Sequence, residues 1–385
     1  MKLIQQFAAL ALASSANAFW ILNCGNPVVV DRIDPLATPG QIPARHVHTV
    51  MGGNAFSANL TTYEQTQKST CTSCSVTKDL SNYWFPQLFF RFDNGSFAAV
   101  KNSGGSLIYY LHRHDKREPE YANGLQPFPE GFRMLAGEPL ARQARNDTDQ
   151  AKRQTRAVSF VCLRGEPTPS TPYLPKMRCK NGLRAQIHFP ACWNGKDNDS
   201  ADHRSHVAYP SGVDNGLCPP GFPKRLITLF SEVIYQVDKF DAYWDPNDAS
   251  KPQPFVFSHG DPTGYGYHGD FQNGWDTAVL KAGIKDCNEG VRSVEQCSAF
   301  NGLVQKGDAM KKCVNKPQVD EKVFGVLGSL PGCNPVPEQS KIVHPAVMAT
   351  CAATNGPGET AAKNETDVPK TSRAARRKVK RSNNN

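Results

Sequence analysis

The chain predicts a mainly β protein: a β-sandwich or jelly-roll-like core with long disulfide-linked loops and a few short helices. Three observations predict it. Short runs rich in Val, Ile, Phe and Tyr recur along the chain, divided by turn residues, with 30 Gly and 29 Pro among 385 residues. Helical periodicity is confined to one clear stretch. The 12 cysteines are even in number and follow a leader-like N-terminus, so they read as disulfides.

The elements follow in order. Lys2, the apolar stretch 3–12 and Ala16-Asn17-Ala18 have the layout of a secretory signal peptide over residues 1–18, with Phe19 as the mature start. No later stretch holds about 18 consecutive apolar residues, so no membrane span is expected. Residues 88–92 and 96–100 flank Asp93-Asn94-Gly95, a hairpin signal. Residues 106–111, 158–162, 184–189 and 255–257 read as further strands, and 226–237 as a long one. The helix is expected over 275–287, where Ala278, Leu280, Ile284 and Cys287 suggest a buried face. Segment 138–155 is polar and reads as a surface insertion; 167–175 reads as a Pro-rich loop. Residues 19–351 form a single β-rich domain in this reading, and 352–385 a disordered basic tail.

Charge excludes one class of partner. The net charge is +9, but seven basic residues and no acid lie between Lys370 and Arg381. The remainder is nearly balanced, which leaves no nucleic-acid surface. Sequons at Asn59, Asn94, Asn146, Asn198 and Asn364 are expected to carry N-linked glycans on an exported chain. Cys71-Thr-Ser-Cys74 has redox or zinc spacing, but outside the cell structural bridges are the better reading.

Three distant segments carry the chemistry: His46-Val47-His48, residues 202–206 with His203 and His206, and residues 265–275 with His268 and Asp270. Imidazole suits proton transfer and metal ligation near neutral pH. His46 and His48 would point to one side of an extended segment and are the candidate metal ligands, which leaves a divalent metal open as cofactor. His268 and Asp270 would share a face likewise, with Asp270 orienting His268 or capping the following helix. Asp202 could serve the site or make an Asx-turn. The candidate catalytic residues are His203, His206, His268 and Asp270. All five histidines of these segments are expected to line one cavity with Asp270.

Arg32-Ile33-Asp34-Pro35-Leu36, Gly52-Gly53-Asn54, Ser81-Asn82-Tyr83-Trp84-Phe85-Pro86, Cys192-Trp193-Asn194-Gly195, residues 202–209, Cys218-Pro219-Pro220 and residues 265–276 accompany the histidine and Cys71–Cys74 motifs. With these stretches the chain resembles the secreted fungal proteins catalogued as domain of unknown function number 1996, over about residues 19–300. The resemblance implies secretion and a single domain; it implies no chemistry.

The aromatics shape the substrate expectation. Tyr83, Trp84, Tyr265 and Trp275 lie beside polar groups, and with Arg204, Tyr209 and Asn273 they are the candidate substrate-binding residues. Sugar rings present apolar faces and polar rims, which suits such a set, although aromatics also fill cores. No Gly-x-Ser-x-Gly elbow and no His-Glu-x-x-His helix occurs. The expectation is a secreted carbohydrate-active enzyme of the extracellular medium or cell wall. It would be a glycoside hydrolase using a carboxylate pair among Asp34, Asp202, Asp270 and Asp276, or a polysaccharide lyase using imidazole or Tyr with a cation. The alternatives are a non-catalytic wall carbohydrate- or metal-binding protein, and a secreted effector.

Overall fold

The computed structural model describes residues 19–337 apart from residue 289. The leader at 1–18, Cys351, the tail at 352–385 and Asn364 lie outside the described residues. Alternation of side chains along strands builds two large antiparallel sheets. The first has five strands in the order Phe19–Cys24, Asn102–Leu111, Thr228–Tyr235, Leu183–His188, Val158–Cys162. The second has five in the order Val29–Asp31, His48–Gly52, Asn82–Pro86, His268–Gln272, Arg133–Gly137.

One core joins them. Trp20, Leu22, Ile108, Tyr110, Ala185 and Ile187 of the first sheet share it with Met51, Tyr83, Phe85 and Phe271 of the second. The second sheet is buried on both faces. Trp84, one residue from Tyr83 and Phe85, turns the other way into a separate cluster with Val50, Leu135, Ile33 and Leu36. On this outer face the paired residues include His48 opposite Pro86, Val50 opposite Trp84, and Trp84 opposite Asp270. A period of two then puts His268 and Asp270 on the same face. A four-stranded sheet, Phe255–Phe257, Leu88–Arg91, Phe97–Ala99 and Val326–Leu327, continues the structure past Gln87. Cys192–Trp193 centres a small three-stranded sheet.

The hairpin at 88–99 and the strands at 106–111, 158–162, 183–188 and 255–257 agree with the sequence. The long strand is Thr228–Tyr235, shorter than expected at both ends. The helix is Thr277–Asp286: Asp276 caps it, its side chain accepting from Ala278 N and Val279 N, and Trp275 stays in the core. The surface insertion ends in a helix, Asp149–Arg156, capped by Thr148.

Disulfides join Cys24 to Cys74, Cys71 to Cys313, Cys162 to Cys179, Cys192 to Cys218 and Cys287 to Cys297. No described cysteine is free. Cys71 and Cys74 are structural, as expected, but each bridges a distant partner rather than the other. Among the described residues no helix is long and apolar enough to cross a membrane.

Candidate functional site

A buried histidine cluster forms where the outer face of the second sheet meets the four-stranded sheet. Gln87 sits at the junction. Its backbone N–H donates to Val47 O at 3.0 Å, and its backbone carbonyl accepts from Ser258 N at 2.8 Å. Ser258 Oγ in turn donates to Val47 O at 2.7 Å. This crossing brings His46 and His48, on either side of Val47, to His259, which follows Ser258. His268 arrives from the central strand. Ring centroids stand 4.2 Å apart for His46 and His48, 5.2 Å for His46 and His259, 5.1 Å for His46 and His268, and 5.1 Å for His259 and His268. Gly266 permits the close approach: a Cβ there would lie 2.6 Å from His259 Nε2 and 2.9 Å from Arg142 Nη1 and Asp261 Oδ2. Gly137, paired with His268, takes a positive φ, and a Cβ on it would meet the Tyr267 carbonyl at 2.5 Å.

Backbone carbonyls fix two tautomers. His268 Nδ1 lies 2.8 Å from Gly266 O and His48 Nδ1 lies 3.1 Å from Ile33 O. A carbonyl only accepts, so each Nδ1 carries the proton and each neutral ring presents the lone pair of Nε2. His268 Nε2 stands 3.1 Å from His46 Nε2. His48 Nε2, both ring nitrogens of His259 and Asp270 Oδ2 are buried without a hydrogen-bond partner in the chain. Two triads of metal-ligating type result, His46–His259–His268 and His48–His268–Asp270, each with its ligand atoms within 4.8 Å of one another.

Burial dominates the electrostatics. It holds His46 and His259 well below the ordinary histidine range, aided by neighbouring imidazoles and by Arg142. It lowers His48, against the raising effect of Asp34, and brings His268 down to about 3, with His48 adding to the effect. Asp270 is pushed well above the usual carboxylate range by burial and then by Asp34, with Arg204 opposing. Two half-buried arginines flank the cluster. Arg142 lies 3.8 Å from Asp261 and donates to His259 O; Arg204 pairs with Glu138 at 3.0 Å.

The structure therefore brings together His46, His48, His268 and Asp270, with Arg204 nearby. It does not bring His203 or His206. His203 Nδ1 pairs with Asp199 at 2.7 Å, while His206 is bonded to Ser200 Oγ and to Arg133 O. Asp202 makes the Asx-turn that holds this segment, accepting from Arg204 N and Ser205 N. The two imidazoles are thus committed to Asp199, Ser200 and Arg133, away from the cluster. Asp270 neither orients His268, whose Nδ1 goes to a carbonyl, nor caps the helix, which Asp276 does.

Most of the expected sugar platform is core. Tyr83, Trp84 and Trp275 are each 0% exposed. Trp275 Nε1 donates to Tyr110 Oη at 2.6 Å, Tyr110 Oη meets Tyr83 Oη at 2.6 Å, and Tyr83 Oη donates to Asp79 Oδ2 at 2.9 Å. Asn273 Nδ2 bonds the carbonyls of Phe128 and Pro129, and Tyr209 Oη bonds His188 O. Of the aromatic members Tyr265 alone remains partly exposed, 6.5 Å from the exposed ring of Tyr173. Asn59, Asn94 and Asn146 are exposed, whereas Asn198 is half-buried and its Nδ2 donates to Glu130 O at 2.8 Å.

Sequence reasoning missed His259, Arg142 and Asp261. A signal was present: His259-Gly260-Asp261 repeats as His268-Gly269-Asp270 nine positions on. Arg142 gave none, since its insertion is polar throughout.

No curated protein and no solved structure matches the chain. The model of the family described as Domain of unknown function (DUF1996) matches residues 34–275, which spans the two motifs bearing His46 and His268 and well over half of the chain. The chain belongs to that family.

Proposed function

We propose that this protein is a secreted carbohydrate-active enzyme of the lyase type, acting outside the cell on an anionic wall polysaccharide at the histidine cluster. The observation that carries the reading is the convergence of four imidazoles from three separate segments, flanked by two arginines. Elimination from a uronate needs a cationic partner for the sugar carboxylate and a group that accepts the adjacent proton; the glycosidic C–O bond then breaks and its oxygen is protonated. Arginine and imidazole are those groups. A two-carboxylate hydrolase finds less support, because Asp202 and Asp276 are engaged in a turn and a cap and Asp34 accepts from Leu36 N and Ala37 N. An open aromatic binding groove finds little support either, with Tyr83, Trp84 and Trp275 buried. The disulfides among the described residues fit an oxidising, extracellular setting, and the exposure of Asn59, Asn94 and Asn146 supports their use as glycan acceptors.

The test is the purified secreted chain on a panel of acidic and neutral polysaccharides, reading both reducing ends and the ultraviolet absorbance of unsaturated uronate. Unsaturated product from an acidic polymer is expected, with a loss on the order of 10²-fold or more in His268→Ala. Reducing ends without unsaturation, or no product at all, would overturn it. So would a His268→Ala variant that melts early yet keeps full activity per folded molecule.

A further inference from the structure

We propose that His46, His259 and His268 bind one divalent transition-metal ion through their ring nitrogens. The inference rests on the cluster's geometry and stands whether or not the chain cleaves polysaccharide. His46 Nε2 and His268 Nε2 are 3.1 Å apart. Two nitrogens bound to one ion at about 2.0–2.1 Å stand roughly 3–3.4 Å apart, so this pair is spaced as two ligands would be. Both nitrogens of His259 lack any partner in the chain, and its ligand atom lies within 4.8 Å of the other two. An imidazole that ligates a metal usually donates its other N–H to a carbonyl or carboxylate, which fixes ring and tautomer. His268 has that outer partner in Gly266 O, at 2.8 Å.

The second triad, His48–His268–Asp270, also needs His268. Since Nδ1 of His268 is committed to the carbonyl, its Nε2 can serve only one ion, and the triads are alternatives. The His46–His259–His268 triad has the ligand pair already spaced for an ion and a third ring with two free nitrogens. Beside this triad Asp261 lies 3.8 Å from Arg142 and offsets its charge. An all-imidazole set suits zinc or copper rather than magnesium or calcium, which prefer oxygen. Three protein ligands leave a coordination position open, the pattern of catalytic rather than structural zinc sites.

The experiment uses the full secreted chain without a histidine tag, purified in the absence of chelators. Mass-spectrometric metal analysis is expected to find about one zinc or copper ion per chain, as for a single three-ligand site. After stripping with a chelator, Zn²⁺ and Cu²⁺ are titrated calorimetrically, and Co²⁺ is added to read its visible absorption. His259→Ala should weaken binding by more than the about 10–100-fold that loss of an outer partner costs. This ring makes no hydrogen bond in the chain, so its removal strands no partner, and the melting temperature checks that the variant folds. His203→Ala should bind as the parent does. Stripped protein that takes up none of the three ions at micromolar concentration would overturn the proposal. So would full affinity in His259→Ala, or a loss in His203→Ala as large as in His259→Ala. Binding abolished by Asp270→Asn but untouched by His259→Ala would overturn this ligand set.

Discussion

Asp79 sits at the end of the buried chain from Trp275 through Tyr110 and Tyr83, and it makes a sharp prediction about pH. Its side chain is 0% exposed, accepting from Ser81 N at 3.0 Å and from Tyr83 Oη at 2.9 Å. Burial, opposed by the hydrogen bonds from Ser81 and Tyr83, pushes its carboxyl from 3.8 up to about 6. The folded state therefore holds a proton that the unfolded state releases. Below 3.8 both states are protonated and Asp79 costs nothing. Between 3.8 and about 6 stability falls as pH rises, and above about 6 the cost is complete. At 1.36 kcal/mol per unit, the shift corresponds to a cost of about 3 kcal/mol. Asp79→Asn removes the titration. It also forfeits one acceptor, a loss of about 1–3 kcal/mol that does not vary with pH. The assay is denaturant unfolding of parent and variant, disulfides intact, from pH 4 to pH 8. The variant should gain on the parent by up to about 3 kcal/mol as pH rises from 4 to 6, then hold level. A difference constant across the range would refute the reasoning.

His188 should behave in the opposite sense. Burial lowers it to about 4, with Asp214 opposing, so its contribution is complete above the unfolded value of 6.5 and is lost as pH falls through about 4. Parent stability should look flatter than either group alone would make it, and His188→Gln should expose the Asp79 slope; an unchanged unfolding profile in this variant would refute it. Gly266→Ala should displace His259, because its Cβ would stand 2.6 Å from Nε2. An overpacking cost of about 1–3 kcal/mol is expected in thermal unfolding, together with weakened metal uptake, and a variant equal to the parent in both would contradict the packing.

Local pattern made part of this molecule legible. The hairpin around Asp93-Asn94-Gly95, the strand at 158–162 and the helix after Trp275 follow from turn chemistry, β-branched runs and apolar spacing. His46 with His48, and His268 with Asp270, stood out because each pair is two apart, which a strand turns into one face. What sequence does not carry is which strands neighbour one another. His259 joins the cluster only because Gln87 ties Val47 to Ser258. The segment at 202–206 was as rich in histidine, yet its Asx-turn commits those rings elsewhere. Aromatics beside polar residues were ambiguous for a related reason: a strand buried on both faces sends Tyr83 to one core and Trp84 to another.

The cluster is not what the fold alone would select. The face behind it carries an apolar cluster, with Val50, Trp84 and Leu135 packed beside Ile33 and Leu36. Beside that cluster stand His48, His268 and Asp270, and His48 Nε2, Asp270 Oδ2 and both His259 nitrogens find no partner in the chain. A buried polar atom left unpaired costs about 1–3 kcal/mol, and whole domains are stable by only about 5–15 kcal/mol. Leucine or methionine at these positions would remove that cost and extend the hydrophobic cluster already there. Gly266 is further given over to letting the His259 ring approach. Polar groups that oppose stability, gathered at one place with two of the rings held in fixed tautomers, are what the metal proposal would account for. A structural pair of histidines would instead have each nitrogen satisfied, as those of His206 are by Ser200 and Arg133.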